Sequence, residues 1–384
     1  MSIPFSRPSI GDDEIAEVVA CLRSGWITTG PRTAQFEKEF AAAVRAPHAL
    51  AVSSATAGLH LTMLALALEP GDEVITTPLT WPATVNTIVL AGATPVLVDI
   101  EPETLNLDVR RIDAALTPRT RAILPVHFAG QPCDMDALTA LAQPRRLRIV
   151  EDAAHALGAG YRAHPIGAIG DAAVFSFHPI KNITTGEGGM ITTGDDELAR
   201  RMRLLRFHGV ERDAWKAYGG AQLPLYDVSA PGLKYNLTDI QSSIGIHQLR
   251  KLAALNAERQ RLARRYDGAI ANISALRPLG RVPYPIRHAH HLYVVRLALE
   301  QVRIDRNAFM AAVMDAGVGL GLHFTAVHEL TYYRRLLGDL RTALPVATDV
   351  SQRLFSLPLF PGLSDAEQDK VIETLEQVAR ANRR

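Results

Sequence analysis

The 384-residue chain is 47% hydrophobic and 21% charged, the balance of a globular protein, and is long enough to expect two domains. Its 41 Lys and Arg against 40 Asp and Glu leave a formal charge of +1, so no bulk field draws it to nucleic acid or to an acidic membrane. The two cysteines, Cys21 and Cys133, lack CxxC spacing, the N-terminus lacks a charged-then-apolar leader, and no apolar run is long enough to span a bilayer; a cytoplasmic enzyme without disulfides or membrane insertion is expected.

From His48 onward, short apolar runs alternate with helical stretches. Strands are expected at 49–52, 73–77, 94–98, 122–126 and 148–150, with helices over 55–68, 83–91, 109–115 and 134–141 between them. A further strand precedes Lys181. Strands separated by helices predict an α/β fold with a mostly parallel sheet covered on both faces. The aperiodic segment 212–231, rich in Gly, Tyr and Trp, reads as a long loop. A charged helical stretch over 249–270 then leads into a second part with a strand at 291–297 and helices over 305–316 and 364–381. The expected division is a large domain over 1–248 and a smaller C-terminal α/β domain over 249–384.

Ligands of such sheets sit beyond the carboxyl ends of the strands, so the residues just past each run carry the functional signal. After the first run, Ser53-Ser54-Ala55-Thr56-Ala57-Gly58 opens a helix, where free amides and hydroxyls can meet a phosphate or simply cap the helix. Trp81 follows the second run and can stack on a flat ring or fill a rim. Glu151-Asp152 ends the fifth run, and a carboxylate beside a buried strand needs a partner; His155 follows it by one short turn. Phe175-Ser176-Phe177-His178-Pro179-Ile180-Lys181-Asn182 then places a hydroxyl and an amine just past another strand, before the turn-forming Gly186-Glu187-Gly188-Gly189. An amine to hold an aldehyde covalently and a carboxylate to keep a pyridine nitrogen protonated are the minimum set for pyridoxal 5'-phosphate. His288, His290 and His291 cluster, but no carboxylate or cysteine completes a ligand set, so no metal is expected.

These stretches, with Gly25-Trp26-Ile27-Thr28-Thr29-Gly30-Pro31 and Leu233-Lys234-Tyr235-Asn236-Leu237-Thr238-Asp239, resemble the DegT/DnrJ/EryC/StrS sugar-nucleotide aminotransferases, of fold-type I (aspartate aminotransferase-like) architecture. Phe5-Ser6-Arg7-Pro8 and Gly321-Leu322-His323-Phe324 extend the likeness, which runs from Phe5 to the last helix. Within the group it leans toward the enzymes that form UDP-4-amino-4-deoxy-L-arabinose for lipid A modification. The resemblance implies that Lys181 bonds the cofactor, Asp152 pairs with its ring nitrogen, Trp81 stacks on the ring and His155 lies near it. Ala55, Thr56 and Ser176 would bind the phosphate, completed by Asn236 from the second subunit of a homodimer with shared active sites. Trp26, Thr28, His323 and Phe324 would meet the substrate. Glutamate (as 2-oxoglutarate on release) would be the amine donor and a nucleotide-linked 4-keto sugar, such as a UDP-4-keto-pentose, the acceptor; another UDP-, dTDP- or GDP-keto-sugar of O-antigen or secondary-metabolite routes is the alternative. Pro179 and Pro82 depart from the family's usual residues. The dehydratases of the same group carry histidine in place of the lysine, and Lys181 argues against that activity. A regulatory pyridoxal-fold module would need a basic helix-turn-helix, for which the residues before His48 leave no room.

Overall fold

The structure is a computed structural model and describes residues 2–211 and 226–384. Two N-terminal helices, α1 (Asp12–Ser24) and α2 (Pro31–Val44), precede the alternating region. There follow β1 (His48–Val52), α3 (Ala55–Ala65), β2 (Glu73–Thr76), α4 (Pro82–Leu90), β3 (Thr94–Leu97), β4 (Thr120–Leu124), α5 (Met135–Ala142) and β5 (Arg148–Asp152). A two-residue hairpin, β6 (Gly160–Tyr161) and β7 (His164–Pro165), leads to β8 (Ala172–Ser176), β9 (Gly189–Thr193) and α6 (Asp196–Arg206). Seven strands form one sheet in the order β1-β9-β8-β5-β4-β2-β3. Pairings from β8 through β3 are parallel, and β9 runs antiparallel to both β1 and β8. The inner strands are buried on both faces, as a sheet covered by helices on either side requires, while the edge strand β3 is partly exposed.

The stretch 109–115, expected as a helix, is two 3-10 turns, Val109–Arg111 and Asp113–Ala115. Asp108 caps the first by accepting from the Arg110 amide, and Leu116 turns extended at once, so an α-helical turn never closes. The expected loop over 212–231 lies mostly outside the described residues; within its described end, Asp227–Val228 pairs with Val210–Glu211.

The helix expected over 249–270 begins ten residues earlier. It is α7 (Asp239–Ile270), 32 residues long, started by a capping box in which Thr238 accepts from the Gln241 amide. Asp239 is freed to cap a different helix: its carboxylate accepts from the amides of Gly30, Arg32 and Thr33, at the N-terminus of α2, where Gly30 has no side chain to do so. One end of α7 packs Ile246, Leu249 and Leu255 into the core beneath the large sheet. The other packs Leu262, Tyr266 and Ile270 into a separate core with the C-terminal strands 276–278, 293–297 and 354–357 and helices 306–315 and 365–381. Ile3 also belongs to this second core, so the division near residue 249 is one we propose to place inside α7, with the first residues of the chain on the C-terminal side. Among the described residues no helix is long and apolar enough to cross a membrane.

Candidate active site

Beyond the carboxyl ends of β1, β2, β4, β5 and β8 lies a cavity of about 360 Å³. The packing of α3 brings its first turn there. Gly58 faces the sheet so closely that a Cβ would stand 2.7 Å from Val174 Cγ1, and one on Gly189 would stand 2.7 Å from the Ala55 nitrogen. The glycine run after Lys181 therefore works by close approach, letting β9 pass under the start of α3. Ser54 caps α3 by accepting from the Ala57 amide at 3.0 Å. The capping reading of the serine-rich segment thus holds for Ser54, while Ala55 and Thr56 line the cavity with first-turn amides that have no acceptor in their own helix. Ser176 lines the same end of the cavity.

Asp152 ends β5 and is buried. Its Oδ2 accepts from Thr84 Oγ1 at 2.8 Å and its Oδ1 from the Ala154 amide at 3.1 Å; Thr84 is in turn 2.7 Å from Thr80 Oγ1. Burial pushes the Asp152 carboxyl up, against the hydrogen bonds from Thr84 and Ala154 and the charge of Lys181. No cation within the chain contacts this carboxylate among the described ion pairs and hydrogen bonds, so its charge is held by two neutral donors only. Lys181 lies across the cavity. Burial and the Arg259 guanidinium bring its amine down to about 8, with Asp152 pulling the other way. Glu151, one residue before Asp152, points to the other face of the strand, where its oxygens accept from the Gly170 amide (2.7 Å) and His127 Nε2 (2.8 Å).

His155 is buried against Phe324, their rings stacked at 5.8 Å, and its Nδ1 has no hydrogen-bond partner among the described residues. Phe324 also lies 6.2 Å from Trp81, which lines the cavity mouth with 63% of its surface exposed. His323 lines the cavity as well, its Nδ1 3.0 Å from Ser356 Oγ and its ring stacked on Phe5. The single chain does not bring all expected residues together. Trp26, Thr28 and Asn236 lie outside the cavity: Asn236 Nδ2 donates to Thr29 Oγ1, the Thr28 carbonyl accepts from the Asp239 amide, and Trp26 is 54% exposed. Asn236 does not cap the following helix, since Thr238 does. Thr84, which holds Asp152, carries no mark in the sequence beyond its place in the first turn of α4, just past the second run; Thr80, two residues before that helix, reaches it only through the bend at Trp81.

The three clustered histidines part company. His288 Nδ1 accepts from the His290 amide and the two rings stack at 4.1 Å, while His291 turns inward to 3.5 Å from Lys181 Nζ. Among the described residues no group of three or more His, Cys, Asp or Glu is gathered to hold a metal.

A flat cationic heterocycle bearing an anionic tail fits this cavity. The buried carboxylate lacks a cation, the amine stands opposite, the orphaned His155 nitrogen needs a polar neighbour, and a helix N-terminus offers unbonded amides. On this fold those requirements define the fold-type I pyridoxal phosphate enzymes. The sequence model of the DegT/DnrJ/EryC1/StrS aminotransferase family matches residues 8–376, and the chain belongs to that family. It is a pyridoxal-phosphate-dependent sugar aminotransferase. Solved structures agree over almost the full length. A protein of Streptococcus pneumoniae assigned as a sugar aminotransferase, Spr1654, in its PLP-form, is 36% identical with a TM-score of 0.92, covering 99% of each chain. The aminotransferase TlmJ of Streptoalloteichus hindustanus is 32% identical with a TM-score of 0.90, covering 99% of each. Helicobacter pylori PseC, an aminotransferase of pseudaminic acid biosynthesis, is 28% identical with a TM-score of 0.92, covering 99% of this chain and all of PseC (100%).

Proposed function

We propose that the chain moves the amino group of glutamate to the keto carbon of a nucleotide-linked 4-keto sugar, with a UDP-4-keto-pentose as the acceptor. The reading is carried by one observation: a buried carboxylate without a cation faces a buried amine of lowered basicity across a cavity bounded by a helix N-terminus. Pyridoxal phosphate, when bound, supplies the electron sink that makes the carbon–hydrogen bond next to nitrogen acidic. Asp152, held in place by Thr84 and the Ala154 amide, would keep the ring nitrogen protonated. Lys181 would hold the cofactor at rest through its amine and, when free, would take up and return a proton at Nζ. The α3 amides at Ala55 and Thr56, with Ser176, hold the phosphate. Trp81 and His155 would hold the ring, and His323 and Phe324 would meet the substrate.

A homodimer with shared sites completes this arrangement. In support, Asn236 and the segment from Trp26 to Thr33 are tied into one surface unit through Thr29 and Asp239, and that surface exposes Leu22, Trp26 and Ile27. A second copy covering these apolar side chains would bring Asn236 to its neighbour's phosphate and Trp26 and Thr28 to its substrate. In a mixing test, inactive Lys181→Ala and Asn236→Ala subunits regain up to roughly a quarter of the wild-type sites after random exchange. Failure to recover activity after verified exchange defeats the shared site.

The acceptor is decided by assaying glutamate-dependent amination over a panel of UDP-, dTDP- and GDP-linked keto sugars. The UDP-4-keto-pentose is expected to give the highest kcat/KM. A second reading, amination of a different keto sugar, is favoured by the likeness to PseC, and a higher kcat/KM for such a sugar replaces the first.

A further inference from the structure

The proposed chemistry uses Lys181 but leaves its nearest polar neighbour unexplained. His291 is 2% exposed, and its Nε2 is the side-chain atom that meets Lys181 Nζ, at 3.5 Å. Its Nδ1 is buried with no hydrogen-bond partner among the described residues. A proton on Nδ1 would leave an N–H with no acceptor in a dry interior, whereas a proton on Nε2 leaves only a bare lone pair behind. The less costly tautomer therefore points Nε2–H at the lysine nitrogen.

Arg259 fixes this meeting. Its guanidinium is buried and has no carboxylate partner among the described residues; Nη1 donates to the carbonyls of His291 (3.1 Å) and Leu359 (2.7 Å), and Nη2 reaches the Lys181 carbonyl at 3.5 Å. One rigid fork on α7 thus holds the backbone on both sides of a contact between residues 110 apart in sequence. The groups facing the Lys181 amine are Asp152 on β5, Arg259 on α7, His291 on the segment before strand 293–297, and the imidazoles of His155 and His323; His155 and His291 lie 4.4 Å apart, ring to ring. Burial holds His155 and His291 well below the ordinary imidazole range and His323 at about 4, so all three are neutral near pH 7. Asp152 alone among these groups favours an ammonium.

We propose that His291 is a further catalytic residue of amino transfer: its Nε2–H donates to the lone pair of the uncharged Lys181 amine at rest and so disfavours the ammonium form, with Arg259 as its positioning residue. This rests on the reading of Lys181 as the amine that moves the proton. The uncharged amine needs no prior deprotonation: Nζ gives up the long contact to Nε2–H, turns its lone pair to the carbon and takes the proton. After taking it, the ammonium faces an N–H of like polarity, so the proton passes on readily to the second carbon. The proton count is unchanged: one leaves the first carbon for Nζ, and one leaves Nζ for the other carbon.

The test uses the full-length protein loaded with pyridoxamine phosphate, which leaves Lys181 free, and follows carbamylation of Lys181 by cyanate against pH with peptide mapping. The wild-type midpoint is expected at about 8. His291→Leu should raise it by about one pH unit, the scale of one lost hydrogen bond to the neutral form, while His291→Gln, which keeps an N–H donor, should stay within a few tenths of wild type. The alkaline-going limb of the kcat profile should move by the same amount. If His291→Leu does not fold, His291→Phe replaces it. An unchanged or lowered midpoint in the apolar variant overturns the proposal, a lowered one because the imidazole was then accepting from an ammonium. Borohydride reduction of the PLP-loaded protein separates this failure from that of the underlying reading. Label on Lys181 with an unmoved midpoint rejects His291 alone, and label on a different lysine rejects the amine assignment together with it.

Discussion

Glu151 and Asp152 are adjacent carboxylates on one strand, both buried, and their surroundings differ in kind. Glu151 is closed off: its two oxygens accept from His127 and the Gly170 amide, and the Cys133 amide donates to the other His127 nitrogen, so every member of that chain is satisfied within the protein. The Cys133 amide donates to Nδ1, so the His127 proton that faces Glu151 sits on Nε2. Asp152 receives one hydroxyl and one amide, no cation, and a cavity in front of it. The scaffold side of the strand is complete without a ligand, and the site side is complete only with one. Completeness of hydrogen bonding, more than burial or charge, separates Glu151 from Asp152, the carboxylate proposed to be functional.

The comparison is broken most severely at Asp152. Asp152→Asn should lower kcat/KM by about 100-fold or more, since an amide can bond the ring nitrogen but cannot stabilise its charge. The same variant should melt no lower than wild type without cofactor. Burial raises the Asp152 carboxyl, so its ionisation costs stability as pH rises through the ordinary carboxylate range and above, and the amide removes that cost. It should also lower the Lys181 labelling midpoint below about 8, because Asp152 is the group that favours the ammonium. Near-normal turnover would mean that a different group faces the ring.

Glu151→Gln should give the reverse pattern. One of its two former acceptor positions becomes an NH₂ facing an N–H of Gly170 or His127, which costs about 1–3 kcal/mol in urea unfolding while turnover of the folded fraction changes less than about threefold. A fall in turnover comparable with that of Asp152→Asn would show that the two faces of β5 are not separable. The mildest test is Thr84→Val, which removes one donor from Asp152 and keeps the volume. It should cost about 1 kcal/mol of transition-state stabilisation, roughly a fivefold loss in kcat/KM, and pyridoxal phosphate should bind more weakly in a fluorescence titration. An unaltered kcat/KM would remove Thr84 from the support of the site.

What was legible in the sequence was whatever depends on near neighbours. The strands β1, β2, β3, β4 and β5 show as apolar runs, and since each helix of a βα unit folds back across the sheet, the residues after those runs must gather at one edge. That logic alone brings Ala55, Thr56, Trp81, Asp152, His155, Ser176 and Lys181 to one cavity. The antiparallel β9 was not distinguished, because a fully buried five-residue run after a glycine turn carries no mark of strand direction. The start of α7 is not legible in the sequence because its first turns, over 239–248, bury polar residues such as Asp239, Ser242 and Gln248, whose partners lie more than 60 residues away in α1, α2 and the loop after Lys181. Contacts of that range are decided by how the two cores pack on α7. The approach of His291 to Lys181, the grip of Arg259 on both backbones and the role of Asp239 as a cap for α2 are set only there, since loop closure over 100 or more residues is fixed by the whole packed structure and leaves no periodic trace along the chain.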